Sequence, residues 1–187
     1  MNKKQSPQSL YQIRVTLLGI SPPIWRQVLV PRHVNLRRLH EILLVVMGWQ
    51  GSHLYQFRVE GDYIGEPDPD FDFDMQHAER AALSDLYHGS GTKFVYEYDL
   101  GDNWEHEVVM EEVVTPEPDQ FYPVCLAGER ASPPDDCGGV WGYEDLLEVL
   151  NNPDHPDYAE MLQWVGEEFD PEAFDVSRIN DELKAMS

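Results

Sequence analysis

The chain has 187 residues, of which 42% are hydrophobic, and its formal net charge is −22. This apolar content is sufficient for a folded core, so the composition argues against global disorder. No apolar run approaches the roughly 20 residues that span a bilayer, which predicts no membrane partner and a cytoplasmic protein whose two cysteines are thiols.

The charge is distributed unevenly along the chain. Residues 1–60 carry eight Lys and Arg against two Asp and Glu, whereas residues 61–187 carry five against 33. The acidic majority would repel phosphate, so nucleic-acid contact is predicted only through the basic N-terminal part. The residues that could make it are Arg26, Arg32, Arg37 and Arg38. The simpler interpretation is that basic and acidic parts pair within the fold or across an oligomer, whose state stays open.

Residues 1–9 are predicted to be a flexible tail, and the regular structure starts with an alternating strand over 11–17. A turn at Ser21-Pro22-Pro23 leads to a returning strand over 24–30. Helical spacing of apolar residues then predicts an amphipathic helix over 36–47, capped by Asn35 and ended by Gly48. A third strand follows over 53–59. By fold-level analogy, this order is that of a β-grasp domain, in which a mixed sheet wraps one helix.

The second half of the chain contains the clearest hairpin, from Lys93 to Leu100 and from Asn103 to Val113. A Pro- and Gly-rich loop is predicted over 114–141 and a helical region over 142–187. The helices are expected at Tyr143–Leu150 and after His155-Pro156 and Asp170-Pro171. The chain is thus predicted to be one α+β domain over 10–187, with sheet and helix in 10–113 and C-terminal helices packed alongside.

An acidic loop precedes the hairpin, with Asp68, Asp70, Asp72 and Asp74 at alternate positions. This spacing matches part of a calcium-loop template, but Phe73 stands where the template requires Gly. The loop is therefore interpreted as a solvated acidic segment.

The hairpin turn carries the first group of candidate functional residues. Asp99 and Asp102 lie in or next to the turn, and alternation places His106 on the same strand face as Trp104. A His near carboxylates could bind a divalent ion or act as a general base oriented by a carboxylate. The alternative is a structural histidine hydrogen-bonded to Asp99 or Asp102.

The second group lies in the segment Ser132-Pro133-Pro134-Asp135-Asp136-Cys137-Gly138-Gly139. Asp135 and Asp136 are candidate catalytic carboxylates, although an Asp-capped entry into the following helix explains them equally well. Cys125 and Cys137 are too few for a zinc site unless His106 or His53 and a carboxylate complete it. Buried, unreactive thiols are the simpler interpretation.

Several motifs in fixed order support a family resemblance. They are Trp25-Arg26, Leu39-His40, Met47-Gly48-Trp49, His53, the Tyr98-to-His106 block and the Pro133-to-Gly139 block. Through them the chain resembles the plasmid pRiA4b ORF-3-like family, some of whose members are called transposon-passenger, TnpR-like proteins. The resemblance covers about residues 10–180 and implies an α+β domain associated with mobile elements, without an assigned activity. Relatives often have Cys where this chain has Ser132, so a thiolate site that used that Cys could not form identically here.

These observations favour a non-enzymatic binding module whose turn at Gly101-Asp102 and loop at Pro133–Gly139 form one recognition surface with the C-terminal helices. The predicted surface residues are Trp104, Pro133, Pro134, Gly138, Gly139 and Tyr143. The predicted partner is a protein with a basic face or a small ligand, and no cofactor is predicted. The alternative is a metal-dependent hydrolase with the candidate ligands Asp102, His106, Asp136, Cys125 and Cys137, and with Asp99 or Asp135 as base.

Overall fold

The computed structural model describes residues 9–67 and 75–186, so residues 1–8 of the tail predicted over 1–9 and residues 68–74 of the acidic loop lie outside the described residues. Within these ranges an eight-stranded mixed sheet is combined with four α-helices. The strands are β1 (Leu10–Leu17), β2 (Trp25–Pro31), β3 (Tyr55–Val59), β4 (Asp62–Gly65), β5 (Met75–His77), β6 (Thr92–Tyr98), β7 (Trp104–Val114) and β8 (Val124–Glu129). The helices are α1 (Leu36–Met47), α2 (Gly139–Leu150), α3 (Tyr158–Val165) and α4 (Val176–Ala185). The predicted α+β class is confirmed.

The strands follow the order β5-β4-β3-β6-β7-β1-β2-β8 across the sheet. All neighbours are antiparallel except β4 and β5, which are parallel. The chain opens strand, strand, helix, strand, as predicted, but β3 pairs with β4 and β6 and not with the β1–β2 hairpin. The β-grasp comparison is therefore not confirmed.

Helix α1 has the bounds that its sequence predicts. The side chain of Asn35 accepts a hydrogen bond from the Arg38 amide, and Gly48 ends the helix in the left-handed conformation with φ 81°. Its apolar face, which includes Leu39 and Leu43, is buried in the same core cluster as residues of β1, β2 and β7. Burying each such leucine contributes roughly 1.5–3 kcal/mol, so packing against the sheet is what stabilises the helix.

The predicted loop over 114–141 contains strand β8, which pairs with β2 at the edge of the sheet. Pattern reasoning misses it because Pro123 precedes it and its sequence does not alternate. Helix α4 covers this edge, and the Asn180 side chain acts there as an extra strand residue. Its Oδ1 accepts from the Cys125 N–H at 2.7 Å, and its Nδ2 donates to the Cys125 carbonyl at 2.9 Å.

The C-terminal region is helical, as predicted, but the helix starts differ. Helix α2 begins at Gly139, four residues before the predicted start at Tyr143. Helix α3 begins at Tyr158, and α4 begins only at Val176, behind the N-cap Asp175. Throughout the described ranges, each helix is too short or too polar to cross a bilayer.

Candidate functional site

The pairing of β3 with β6 brings two distant segments together. The strands are antiparallel and Tyr55 is the register partner of Tyr98, so the start of β3 lies beside the end of β6. His53 precedes β3 and Asp99 follows β6. Their side chains therefore meet at one end of the sheet, with His53 Nδ1 3.4 Å from Asp99 Oδ2.

Asp99 is held in place by the turn that it helps to form. Its backbone is left-handed, with φ 59°, a conformation that Asp tolerates better than most residues. Its Oδ1 accepts hydrogen bonds from the N–H groups of Gly101, at 2.9 Å, and Asp102, at 3.3 Å. One carboxylate oxygen thus fixes the turn, while the other faces the imidazole.

Asp136 approaches the other ring nitrogen of the same imidazole. Its Oδ1 lies 3.3 Å from His53 Nε2, and its backbone is also left-handed, with φ 61°. The two carboxylates differ in environment, since the Asp99 side chain is 10% exposed and that of Asp136 73% exposed. His53 therefore contacts a buried carboxylate and a solvent-facing one.

The turn after β6 and the loop before α2 are in direct contact. Asp102 Oδ2 accepts a hydrogen bond from the Gly138 N–H at 3.0 Å. A Cβ atom at Gly139 would lie 2.6 Å from the Asp102 carbonyl oxygen, and both glycines have positive φ. Only glycine allows this approach, so the adjacent glycines serve to bring the two loops together.

Asp135 and Ser132 add buried polar atoms to this loop. Asp135 Oδ2 accepts from the Gln50 N–H at 3.2 Å, which ties the loop to the end of α1. Its Oδ1 and the Ser132 Oγ are buried without a hydrogen-bond partner among the described residues. Buried polar groups are rarely left unpaired, so this loop has unused capacity to bind.

His106 is located away from the carboxylates, contrary to the prediction that Asp99 or Asp102 would be its partner. It is fully buried, its Nδ1 lies 3.2 Å from the Tyr96 carbonyl, and its Nε2 has no hydrogen-bond partner in the described part of the chain. Burial lowers the pKa of His106 to about 4, so the imidazole is neutral at pH 7. The alternation of β7 turns this side chain into the core, whereas the carboxylates extend from the turn at the end of the sheet.

The two cysteines also lie outside the cluster. Cys125 is buried in β8, and Cys137 is half-buried before α2. Burial raises the pKa of Cys125 to about 11, and burial together with the charges of Asp102, Asp135 and Asp136 raises that of Cys137 to about 12. Both are protonated thiols at neutral pH and weak nucleophiles.

Among the described residues, the one group of three converging His, Cys, Asp or Glu side chains is His53, Asp99 and Asp136. Of the metal ligands that the sequence suggests, Asp136 and His53 belong to it, although His53 is suggested only as a partner of the cysteines. The closeness of His53 to Asp99 depends on the pairing of β3 with β6, which the sequence patterns do not predict.

The predicted surface residues divide into three groups, of which Gly138 and Gly139 join the loop to the turn after β6 and do not line the cleft. Trp104 and Tyr143 are fully buried, and Trp104 stacks on Trp49 with ring centroids 5.7 Å apart, so both are core residues. Pro133 and Pro134, in contrast, line a cleft of about 820 Å³. The sequence motifs do not distinguish the two locations, because large aromatic side chains are common both in protein cores and in binding interfaces.

The cleft lies between the end of α1, the segment 131–136, and the helices α3 and α4 with their connection. Its apolar wall includes Trp164, Phe169, Phe174 and Ile179, and its carboxylates are Asp135, Asp136, Asp175 and Glu182. A second cavity of about 380 Å³ also borders Asp136 and Trp164. The His53–Asp136 contact therefore lies at the edge of two cavities.

The arginines suggested for nucleic-acid contact are already engaged within the fold. Arg26 is buried and donates to the carbonyls of Trp25, Val46, Glu129 and Arg130 at 2.7–2.9 Å. Arg37 pairs with Glu66 and Glu79, Arg38 pairs with Glu41, and Arg32 lies over the Tyr11 ring. Arg26 is therefore inaccessible to a phosphate, which corrects its place among the predicted nucleic-acid contacts.

A family model described as plasmid pRiA4b ORF-3-like protein matches residues 9–178. The chain belongs to this family. The resemblance inferred from the sequence motifs is thereby confirmed. The matched region contains all three residues of the His53 cluster and most of the cleft.

Similar proteins support the family and the fold. The chain is 38% identical over 182 residues to the uncharacterized protein y4hQ of Sinorhizobium fredii strain NBRC 101917 / NGR234, covering 95% of this chain and 93% of that protein. A crystal structure of the protein of unknown function MM3350 from Methanosarcina mazei Go1 matches with a TM-score of 0.83 and 36% identity, over 90% of this chain and 96% of the other. Neither name states an activity, so function has to be argued from the site.

Proposed function

We propose that the protein is a binding module that holds a basic, partly apolar segment of a partner protein in the 820 Å³ cleft. The observation that carries this proposal is the composition of the cleft, which combines an apolar wall with several carboxylates. The association with mobile elements and the cytoplasmic location belong to the same proposal, and rest on the family name and on composition.

The apolar wall supports burial of apolar side chains from a partner. Trp164 is 48% exposed, and Phe169 and Phe174 line the same cleft. Aromatic side chains at a concave surface contribute much of the binding free energy in protein interfaces. A cleft of this volume accommodates a few side chains of an extended segment.

The charges at the cleft favour a cationic partner. Four carboxylates border it against two guanidinium groups, Arg26 and Arg178, so negative charge is in excess even though Arg178 pairs with Glu182. Arg26 is bonded to backbone carbonyls, and Arg178 pairs with Glu182 at 3.0 Å. The net charge of −22 adds a long-range attraction for a basic partner.

The hydrolase alternative built on His106 lacks support from its geometry. That mechanism needs a titratable imidazole near Asp102 and Asp136, whereas His106 is buried, neutral and bonded to the Tyr96 carbonyl. The carboxylates instead meet His53. Binding is thus the function that the arrangement supports best.

The test is selection of a random heptapeptide phage library against the immobilised protein, followed by fluorescence anisotropy with the enriched peptides. We expect enrichment of Lys or Arg next to apolar residues, and affinity that falls as salt rises. Trp164→Ala should weaken binding at least tenfold. Trp141→Ala is the matched control, because Trp141 is 79% exposed on α2 and does not line either cavity.

Enrichment of acidic peptides, or equal binding by the wild type and Trp164→Ala, would contradict the proposal. Near-UV circular dichroism of both tryptophan variants establishes that each is folded. A loss of binding that is the same for Trp141→Ala and Trp164→Ala would also count against the cleft.

A further inference from the structure

We propose that His53, Asp99 and Asp136 form a binding site for a divalent transition-metal cation such as Zn²⁺ or Mn²⁺. One nitrogen of the imidazole and one oxygen of each carboxylate all lie within 4.8 Å of one another. This inference concerns a different ligand from the proposed peptide binding and shares only Asp136 with the cleft.

The geometry requires a modest closure around the ion. Ligand atoms bound at about 2.0–2.2 Å to a tetrahedral cation lie about 3.3–3.6 Å apart. The longest observed separations, up to 4.8 Å, need to shorten by roughly 1.5 Å. Asp136 has a solvent-exposed side chain that is free to make this movement, whereas Asp99 is fixed by its two backbone hydrogen bonds.

The charges of the cluster favour a divalent cation. Two carboxylates face one imidazole, and within residues 9–67 and 75–186 neither carboxylate has a Lys or Arg ion pair. The described part of the chain therefore leaves Asp99 and Asp136 without a fixed positive charge to balance them. A divalent ion would neutralise both, and the acidic protein would raise its local concentration.

The contacts of the imidazole leave room for an ion. His53 Nε2 lies 3.3 Å from Asp136 Oδ1, which is within ion-pair distance, yet the atom is buried without a hydrogen bond of acceptable geometry. The contact is therefore a close approach of two polar atoms and not an aligned hydrogen bond, which requires a suitable angle as well as distance. Binding of Nε2 and Asp136 to one cation would satisfy both atoms, and an oxygen of Asp99 would complete the ligand set.

The backbone around the cluster is held in an uncommon conformation. Asp99, Asn103 and Asp136 all have positive φ, at 59°, 59° and 61°. Asp and Asn adopt this region more readily than other non-glycine residues, but each instance still has an energetic cost. Strained backbone of this kind concentrates at functional sites, and here it presents two carboxylates to one histidine.

The donor set determines the class of metal. One imidazole nitrogen with two carboxylate oxygens suits Zn²⁺, Mn²⁺ or Fe²⁺, whereas Mg²⁺ and Ca²⁺ prefer ligand sets made only of oxygen. Three protein ligands leave coordination positions for water or a ligand. Asp136 borders both cavities, so these positions would be accessible from the cleft.

The experiment starts with elemental analysis of untagged protein purified without chelator, then equilibrium dialysis of the metal-free protein against Zn²⁺, Mn²⁺ or Mg²⁺ alone. We expect close to one equivalent of Zn²⁺ or Mn²⁺ and much weaker binding of Mg²⁺. His53→Ala and Asp136→Asn should each lower the affinity at least tenfold. His106→Phe, which changes a histidine outside the cluster, should keep it.

Two matched controls separate the cluster from general acidity. Asp119→Asn changes another exposed Asp with positive φ, 64°, and His88→Ala changes an exposed His that lies 3.9 Å from a carboxylate of Glu60. Both should bind the ion as the wild type does. Absence of saturable Zn²⁺ and Mn²⁺ binding, or equal affinity for wild type, His53→Ala and Asp136→Asn, would overturn the proposal.

The outcome is independent of the peptide test, since dialysis uses the ion alone. Metal binding without peptide selection would uphold this site and remove the proposed function. Peptide binding without metal binding would do the reverse. Visible absorption of Co²⁺-loaded protein adds a readout of coordination, which should be lost in Asp136→Asn and kept in Asp119→Asn.

Discussion

Asp102 Oδ2 accepts a hydrogen bond from the backbone N–H of Gly138 at 3.0 Å, which joins the turn after β6 to the loop before α2. The two residues are 36 positions apart in the chain. This bond holds the segment containing Asp136 next to the segment containing Asp99. The geometry of the whole candidate site therefore depends on it.

Asp102→Ala is expected to destabilise the protein by about 1 kcal/mol, because it removes one acceptor and leaves the Gly138 N–H without its partner. Asp102→Asn keeps an acceptor oxygen and should retain most of the stability. Urea unfolding measures both changes. Asp154→Ala, an exposed Asp whose side chain makes no hydrogen bond to the described residues, should leave the midpoint unchanged. Equal effects of Asp102→Ala and Asp154→Ala would show that the bond does not contribute.

Gly139→Ala is expected to lower the free energy of unfolding by more than the conformational cost of placing an alanine in the left-handed region. Its Cβ would lie 2.6 Å from the Asp102 carbonyl oxygen, a backbone atom that can move only with the turn. Gly48→Ala is the matched control, because Gly48 also has positive φ but no atom within 4 Å of an added Cβ. We expect about 1–2 kcal/mol for Gly48→Ala and a clearly larger loss for Gly139→Ala. Thermal unfolding of the two variants measures the difference, and equal losses would argue against a tight contact between the loops.

The sequence patterns predict the local elements well. The bounds of α1 agree with the prediction. Three of the four strand ends of the β6–β7 hairpin differ from the prediction by one residue and the fourth by two. The agreement is close because alternation and helical spacing are local properties. Strands β4, β5 and β8 are not predicted. They are short and lie next to irregular segments, and they gain their stability from pairing: β4 with β3, β5 with β4 and β8 with β2.

The candidate site is predicted only in part, because it is built from long-range contacts. Asp99 and Asp136 are singled out from their motifs, but the residue between them is His53 rather than His106. Finding His53 requires the register of β3 on β6, which the hydrophobic pattern of either strand alone does not determine. Likewise, alternation correctly predicts that Trp104 and His106 share one strand face. It does not predict that this face is fully buried.

His106 should make stability depend on pH between about 4 and 6.5. Its folded pKa of about 4 lies below the ordinary value of 6.5, so the unfolded chain binds the proton more readily in this interval. The contribution of His106 to the free energy of unfolding is complete above pH 6.5, decreases as the pH falls and is lost near pH 4. The free energy of unfolding changes by about 3 kcal/mol over this interval. Buried His40, whose pKa burial also lowers to about 4, adds a second contribution of the same sign.

His106→Phe should reduce the number of protons taken up on unfolding in this pH interval by about one, and the slope of stability against pH should fall accordingly. Phenylalanine fills a similar volume among the surrounding aromatic rings but does not titrate. Urea unfolding at a series of pH values from 4 to 7 measures the slope. His88→Ala, at an exposed position, should leave it unchanged. An unaltered slope in His106→Phe would mean that the buried imidazole does not titrate in this interval.

Arg26→Lys should destabilise the protein strongly although the formal charge is kept. The planar guanidinium donates to four backbone carbonyls on three different segments, and burial lowers the pKa of Arg26 to about 10. A lysine ammonium has fewer donors and a different geometry, so some of these carbonyls would remain buried without a partner. We expect the free energy of unfolding, measured with urea, to fall by about 2–4 kcal/mol.

Arg178→Lys is the matched control, because its exposed pair with Glu182 should tolerate the exchange within about 0.5 kcal/mol. If Arg26→Lys were equally mild, the hydrogen bonds of the buried guanidinium would not be what ties β8 to α1.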